Sequence, residues 1–217
     1  GNASVANANV SSGARLEVAS NATNTRPFGA VTISPVSPPS AANAVTLAGT
    51  FDNVEVTRPS NVNVAGGSVL NNITANSNLT LSGTGTINNV SVGSAGTTLD
   101  IQAPSVGFIA VDRSAEGATI NIGSNIVVAT LNINAPVAVI GTGTVTTANI
   151  GVSGTTIETK TANVSVVSGV TATVGGEVKN DNNSTVISQV PVNNTPPVVV
   201  NPPSSGGGVS ENIPPST

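Results

Sequence analysis

The chain contains no cysteine, methionine, tryptophan, tyrosine or histidine, and three phenylalanines are its only aromatic residues. Without His or Cys the usual zinc ligands are missing, and without Trp or Tyr there are few rings on which a sugar could stack. Charge is nearly as scarce, at 7% of 217 residues, with six basic side chains against ten acidic ones and a net charge of −4. The six bases, Arg15, Arg26, Arg58, Arg113, Lys160 and Lys179, are scattered. Nucleic acid needs a concentrated basic patch to neutralise its phosphates, so it is not an expected partner. No run approaches the ~18 consecutive apolar residues of a membrane-spanning helix. A transmembrane barrel would need longer alternating strands and aromatic girdles. No membrane span is therefore expected. A chain without Met has lost its initiator, by excision before Gly1 or with a signal peptide. Scarce Lys and Glu, abundant Thr, Asn, Ser and Gly, and few oxidisable side chains favour a secreted protein, extracellular or at a cell surface.

What the chain does have is a repeat. Ser82-Gly83-Thr84-Gly85-Thr86-Ile87 returns as Gly141-Thr142-Gly143-Thr144-Val145, and Ala95-Gly96-Thr97-Thr98-Leu99-Asp100 returns as Ser153-Gly154-Thr155-Thr156-Ile157-Glu158, both 58 residues later. The same offset carries Ile73 to Leu131, Leu79 to Val137 and Leu81 to Val139. A fixed period means that each unit buries its apolar face by stacking on copies of itself. The period divides in three, because the apolar pairs Leu79/Leu81, Leu99/Ile101, Ile120/Ile122 and Val137/Val139, followed by Ile157, step by 20, 21, 17 and 20 residues. Between them lie further apolar sites such as Ile87 and Val92, or Val145 and Ile150. Triplets such as Val-Asn-Val at 62, Leu-Thr-Leu at 79 and Ile-Asn-Ile at 120 alternate apolar with polar, the period of a strand with one buried face. Gly, Asn, Ser and Pro fall between the triplets, where corners need them. The expected fold is an all-β, right-handed parallel β-solenoid (β-helix) with three short strands per coil of about 19–20 residues. Coils stacked at about 4.8 Å would give a rod roughly 34 Å long between Val45 and Val174. In that rod Leu81, Ile101, Ile122 and Val139 are expected to form one inward column.

Three segments follow. Residues 1–44 read as an irregular N-terminal cap or first coils, residues 45–178 as the solenoid, and residues 179–217 as a Pro/Gly-rich extension, either linker or docking strand. Within the extension Val186, Val190, Val192, Val198, Val199 and Val200 are β-branched and have no place in the coil register. They are the candidate self-assembly residues, since a solenoid leaves unpaired sheet edges at its ends to which a strand can add.

The stretch from Thr130 to Thr144, followed by Ala148-Asn149-Ile150 and by Val164 to Gly176, resembles the β-helical repeat segments of secreted surface and S-layer-associated proteins of spore-forming Gram-positive bacteria. That resemblance implies an extracellular structural or adhesive role and carries over no catalytic residue. No wall-anchoring module is recognisable in the chain.

Many β-helices cleave polysaccharides, so the acids need testing. Asp100 and Glu158 occupy equivalent positions three coils apart, roughly 14 Å, whereas glycosidase carboxylates sit about 5 to 9.5 Å apart. Asp112-Arg113-Ser114-Ala115-Glu116 reads as a solvated corner, and Asp181, among Asn residues, as a turn rather than a Ca²⁺ ligand. Gly83/Gly85 and Gly141/Gly143 lack the following helix of a nucleotide loop and read as corners. Sequons such as Asn78-Leu79-Thr80 and Asn163-Val164-Ser165 arise from strand alternation. No catalytic, metal or cofactor site is expected, and the chain is not expected to be an enzyme. The expected function is a secreted structural solenoid that self-associates head to tail into an extracellular fibre or surface layer. Its partner is itself, with cell-wall or matrix polysaccharide as a further candidate. The rival readings are an adhesin or carbohydrate-binding module, an ice-binding face and a polysaccharide-degrading β-helix.

Overall fold

The computed structural model describes residues 4–18, 28–103, 105–182 and 185–186. Among these residues there are twenty strands, numbered in chain order, and a single 3₁₀ turn at Ala41–Asn43. They form two ten-stranded sheets. The long sheet stacks β1 (Val5–Val10), β3 (Phe28–Ile33), β5 (Thr50–Val56), β7 (Val69–Ala75), β9 (Thr86–Val92), β11 (Ser105–Val111), β13 (Val127–Ile133), β15 (Thr144–Ile150), β17 (Lys160–Val166) and the two-residue β20 (Thr185–Val186). The short sheet stacks β2 (Ala14–Glu17), β4 (Val45–Ala48), β6 (Ser60–Val64), β8 (Leu79–Gly83), β10 (Thr98–Ile101), β12 (Thr119–Ile122), β14 (Ala138–Ile140), β16 (Thr155–Ile157), β18 (Ala172–Val174) and β19 (Glu177–Lys179). All pairings are parallel except β18 with β19. The chain is a β-solenoid, and β1 and β3 already belong to its sheets.

The coil holds two strands, not three. The expected second and third strands are one continuous strand of seven residues with a bend inside it. In β9 the buried residues are the second, fifth and seventh, Ile87, Val90 and Val92, so two successive residues, Asn88 and Asn89, turn away from the core. The ladder between β7 and β9 passes from Leu70↔Ile87 to Asn72↔Asn89 without pairing the third residues. Bending there leaves a main-chain carbonyl without its ladder donor, and an Asn side chain at the fourth position supplies one. Asn72 Nδ2 donates to the Asp52 carbonyl at 2.9 Å, Asn89 Nδ2 to that of Asn71 at 3.1 Å, and Asn163 Nδ2 to that of Thr146 at 3.1 Å. A buried carbonyl left unpaired would cost about 1–3 kcal/mol. Each donor reaches back toward the preceding, N-terminal coil.

Inside the long sheet three columns run without slipping. Second positions stack as Phe28, Phe51, Leu70, Ile87, Val106, Val128 and Val145, with the Phe28 and Phe51 rings 5.3 Å apart. Fifth positions run from Val31 to Ala148, and seventh positions from Ile33 to Val166. Nearly all are fully buried, and β-branched side chains suit such stacked pleats.

The short sheet behaves differently. Leu81, Ile101, Ile122 and Val139 are all buried, as expected, but they do not share a column. Leu81 pairs with Ile101 and Ile101 with Ile122, whereas Val139 pairs with Ile120 and Gly141 falls beneath Ile122. The 58-residue offset slips by two in β14. A slip of two preserves the inward face, because side chains alternate with period two.

Candidate functional site

The acids weighed from sequence are placed as members of the scaffold. Asp100, on the outer face of β10, accepts from Asn121 Nδ2 at 2.9 Å through one oxygen and from Gln102 Nε2 at 2.7 Å through the other. Glu158 follows β16, three strands along the same sheet, so the two acids are not brought together. Asp112 is half-buried, and burial pushes its carboxyl above the usual range. Its loop is a packed corner: Asp112 N–H donates to the Val92 carbonyl, Ala115 N–H donates to the Asp112 carbonyl, and Ala115 is buried, while Arg113 and Glu116 are exposed. Asp181 accepts from Ser168 Oγ at 2.8 Å. Among the described residues no three His, Cys, Asp or Glu side chains gather where they could hold a metal ion, and no helix is long and apolar enough to cross a membrane.

The Gly-x-Gly pairs are corners. Gly83 and Gly141 take φ of 109° and 106° and lie against the Val64 and Ile122 carbonyls of the preceding coil, leaving no room for a Cβ. Gly85 and Gly143 donate their N–H groups to those same carbonyls. None of these donors is turned outward to cradle a phosphate.

The remaining unusual features lie at the ends. At the C-terminal end, Gly175 and Gly176 both take positive φ, 59° and 82°, and form the tight turn by which β19 reverses against β18. Glu177 and Lys179 of β19 pair at 2.8 Å, and this hydrogen bond, with the lysine's charge, holds the Glu177 carboxyl below its ordinary value. At the opposite end of the same sheet, Arg15 and Glu17 of β2 pair at 2.7 Å. Both terminal strands of the short sheet thus carry an i, i+2 ion pair, the kind of charge that discourages further strand pairing.

The long sheet ends otherwise. Its N-terminal edge, β1, reads Val-Ala-Asn-Ala-Asn-Val with no charge, and Val5 is 42% exposed. At its C-terminal edge β20 pairs only with Ser165 and Val166, leaving Lys160–Val164 of β17 beside a cleft of about 640 Å³. The opposite wall is formed by Val174, Gly175, Glu177 and Lys179. Near its floor Thr159 is buried with an unpaired hydroxyl, and Thr155 is in the same state two inward positions earlier. Of the candidate assembly residues, Val186 lies in β20 on its own chain's β17. Val190, Val192, Val198, Val199 and Val200 lie outside the described residues.

Sequence reasoning missed the Asn corner and the contrast between the ends. The successive pairs Asp52-Asn53, Asn71-Asn72 and Asn88-Asn89 were the available signal for the first.

Fold and ends together define a parallel β-solenoid with one sheet closed by charge and the other open. No family model, no curated protein and no solved structure matches the chain.

Proposed function

We propose that the chain is a secreted structural rod that joins further copies of itself end to end, building an extracellular fibre or surface layer. The observation that carries this reading is the unequal treatment of the edges: ion pairs terminate the short sheet at both ends, while the uncharged β1 leaves the long sheet's main-chain groups available. Heterologous contacts between opposite ends propagate without closing, which is the geometry of a filament. The acids held in outer-face hydrogen bonds suit a scaffold better than a reaction centre. Electron microscopy of the purified full chain tests it. Filaments or sheets whose axial repeat matches one rod support the reading, and monodisperse single rods at every concentration overturn it.

A further inference from the structure

We propose that the C-terminal cleft is the seat for β1 of a second copy, an inference that rests on the end-to-end reading and assigns its contact. Every internal coil of the long sheet meets its predecessor in one register, with a fourth-position Asn donating back to a third-position carbonyl where that Asn is present. Asn7 occupies the fourth position of β1, since it pairs with Ala30, and Ala30 with Asn53. Among the described residues no coil precedes it. At the other end of the rod Ala162 stands at the third position of β17, and no strand follows it, because β20 reaches only Ser165 and Val166. One end presents the donor of this repeating contact and the other presents its acceptor.

The apolar columns agree. Second-position residues from Phe51 to Val145 are at most 1% exposed, whereas Val5, which heads that column, is 42% exposed. In the fifth-position column Ala8 and Val164, the two end members, are only partly buried. Placing β1 on β17 in the internal register sets Val5 over Thr161, Asn7 over Asn163 and Ala8 over Val164, and directs Asn7 Nδ2 to the Ala162 carbonyl. Asn9 and Val10 then take the places of Thr185 and Val186, a two-residue strand that β1 displaces. The joint is made by the long sheet alone. In the short sheet β19 has already reversed direction and carries Glu177 and Lys179, so β2 adds nothing there.

The chain has no cysteine, which permits a clean test on the full-length protein. Asn7→Cys and Asn163→Cys chains are mixed and mildly oxidised. The two positions sit at opposite ends of the rod, so any disulfide joins two copies. Neighbouring strands about 4.8 Å apart fall within the Cα separation that a disulfide requires. The mixture should cross-link about tenfold faster than either variant alone or than Asn9→Cys with Asn163→Cys, which is out of register. Equal rates for the offset pair, or a preference of the Asn7→Cys chain for cross-linking to its own copies, overturn the seat. As a second measurement, Val5→Lys should weaken association about tenfold without lowering the melting temperature, and full chains with Val198, Val199 and Val200 replaced by Asp should associate as before. If the tail variant loses association while Val5→Lys keeps it, the extension is the donor strand. The seat then fails although the end-to-end reading survives. If the unaltered chain never associates, both fail.

Discussion

The long and short sheets enclose one core and are stacked by the same chain, yet only the long sheet keeps a single register from β1 to β17. The short sheet slips by two at β14. Length is part of the difference, since most strands of the long sheet have seven residues and those of the short sheet three to five. The rest is chemistry. A slip of two in the long sheet would carry the bend, with its unpaired carbonyl and its Asn donor, out of line with the coil below. The short sheet has no such internal mark, and parity alone satisfies its core. A polar group in a defined place therefore fixes register where apolar columns would tolerate a shift, at little cost to stability when it is satisfied.

The largest expected effect tests what the two sheets share. Ile122 is fully buried in the short sheet, and Ile122→Asn puts an unpaired amide into the core with a changed volume. It should cost roughly 4 kcal/mol in chemical denaturation. Next comes the corner of the short sheet. At φ of 106° a Cβ on Gly141 would strike the Ile122 carbonyl and approach Asn121 Oδ1 at 2.7 Å. Gly141→Ala should therefore cost about 2 kcal/mol or more. A neutral result for either would mean that the short sheet adapts more freely than its packing implies.

The corner of the long sheet should prove weaker but more selective. Asn89→Ala strands the Asn71 carbonyl and Asn72 Oδ1 and should cost about 1–2 kcal/mol. Thr147→Ala, at the same position in β15, should stay within about 0.5 kcal/mol. Equal effects would show that the amide does no more than fill the site. In the last coils the sign reverses, because Thr155 and Thr159 bury hydroxyls without partners. Thr155→Val and Thr159→Val should each raise stability by about 1 kcal/mol, read as a higher midpoint at unchanged slope.

Much of this fold was legible in the sequence because its signals are periodic. The 58-residue return, the Val-x-Val triplets and the positive-φ glycines placed the coils, the buried face and the corners at Gly83 and Gly141. The strand count was not legible, because Asn-Asn pairs are turn formers by propensity. Asn72 and Asn89 instead serve a bend inside a continuous strand by bonding to a carbonyl one coil away. Nor was the register of Val139, since the repeat was read as a rigid offset while the corner at Gly141 shifted β14 by two. The ends were the hardest. Arg15/Glu17 and Glu177/Lys179 are ordinary i, i+2 charges until pairing shows that β2 and β19 are the terminal strands of one sheet, and that β1, without charge, terminates the other.

The smallest effect concerns those end charges, and it separates two roles for β19. Glu177 is held below its ordinary value of 4.5 by the hydrogen bond from Lys179 and by its charge. The folded protein therefore binds fewer protons than the unfolded chain just below pH 4.5, so the pair's contribution is present above that pH and lost as pH falls through the depressed value. Asp112 has the opposite sign. Burial raises its carboxyl above 3.8, the folded state binds more protons in the window above that value, and stability is gained as pH falls through it. Melting curves between about pH 3 and 7 should show Glu177→Gln removing a slight acid-side loss and Asp112→Asn removing a slight acid-side gain. Because the Glu177 pair is fully solvated, its loss should barely move the melting temperature at about pH 7. A large drop there would make β19 a clasp that holds the coil shut. A negligible one leaves it the role of a charged edge that keeps other strands off the short sheet.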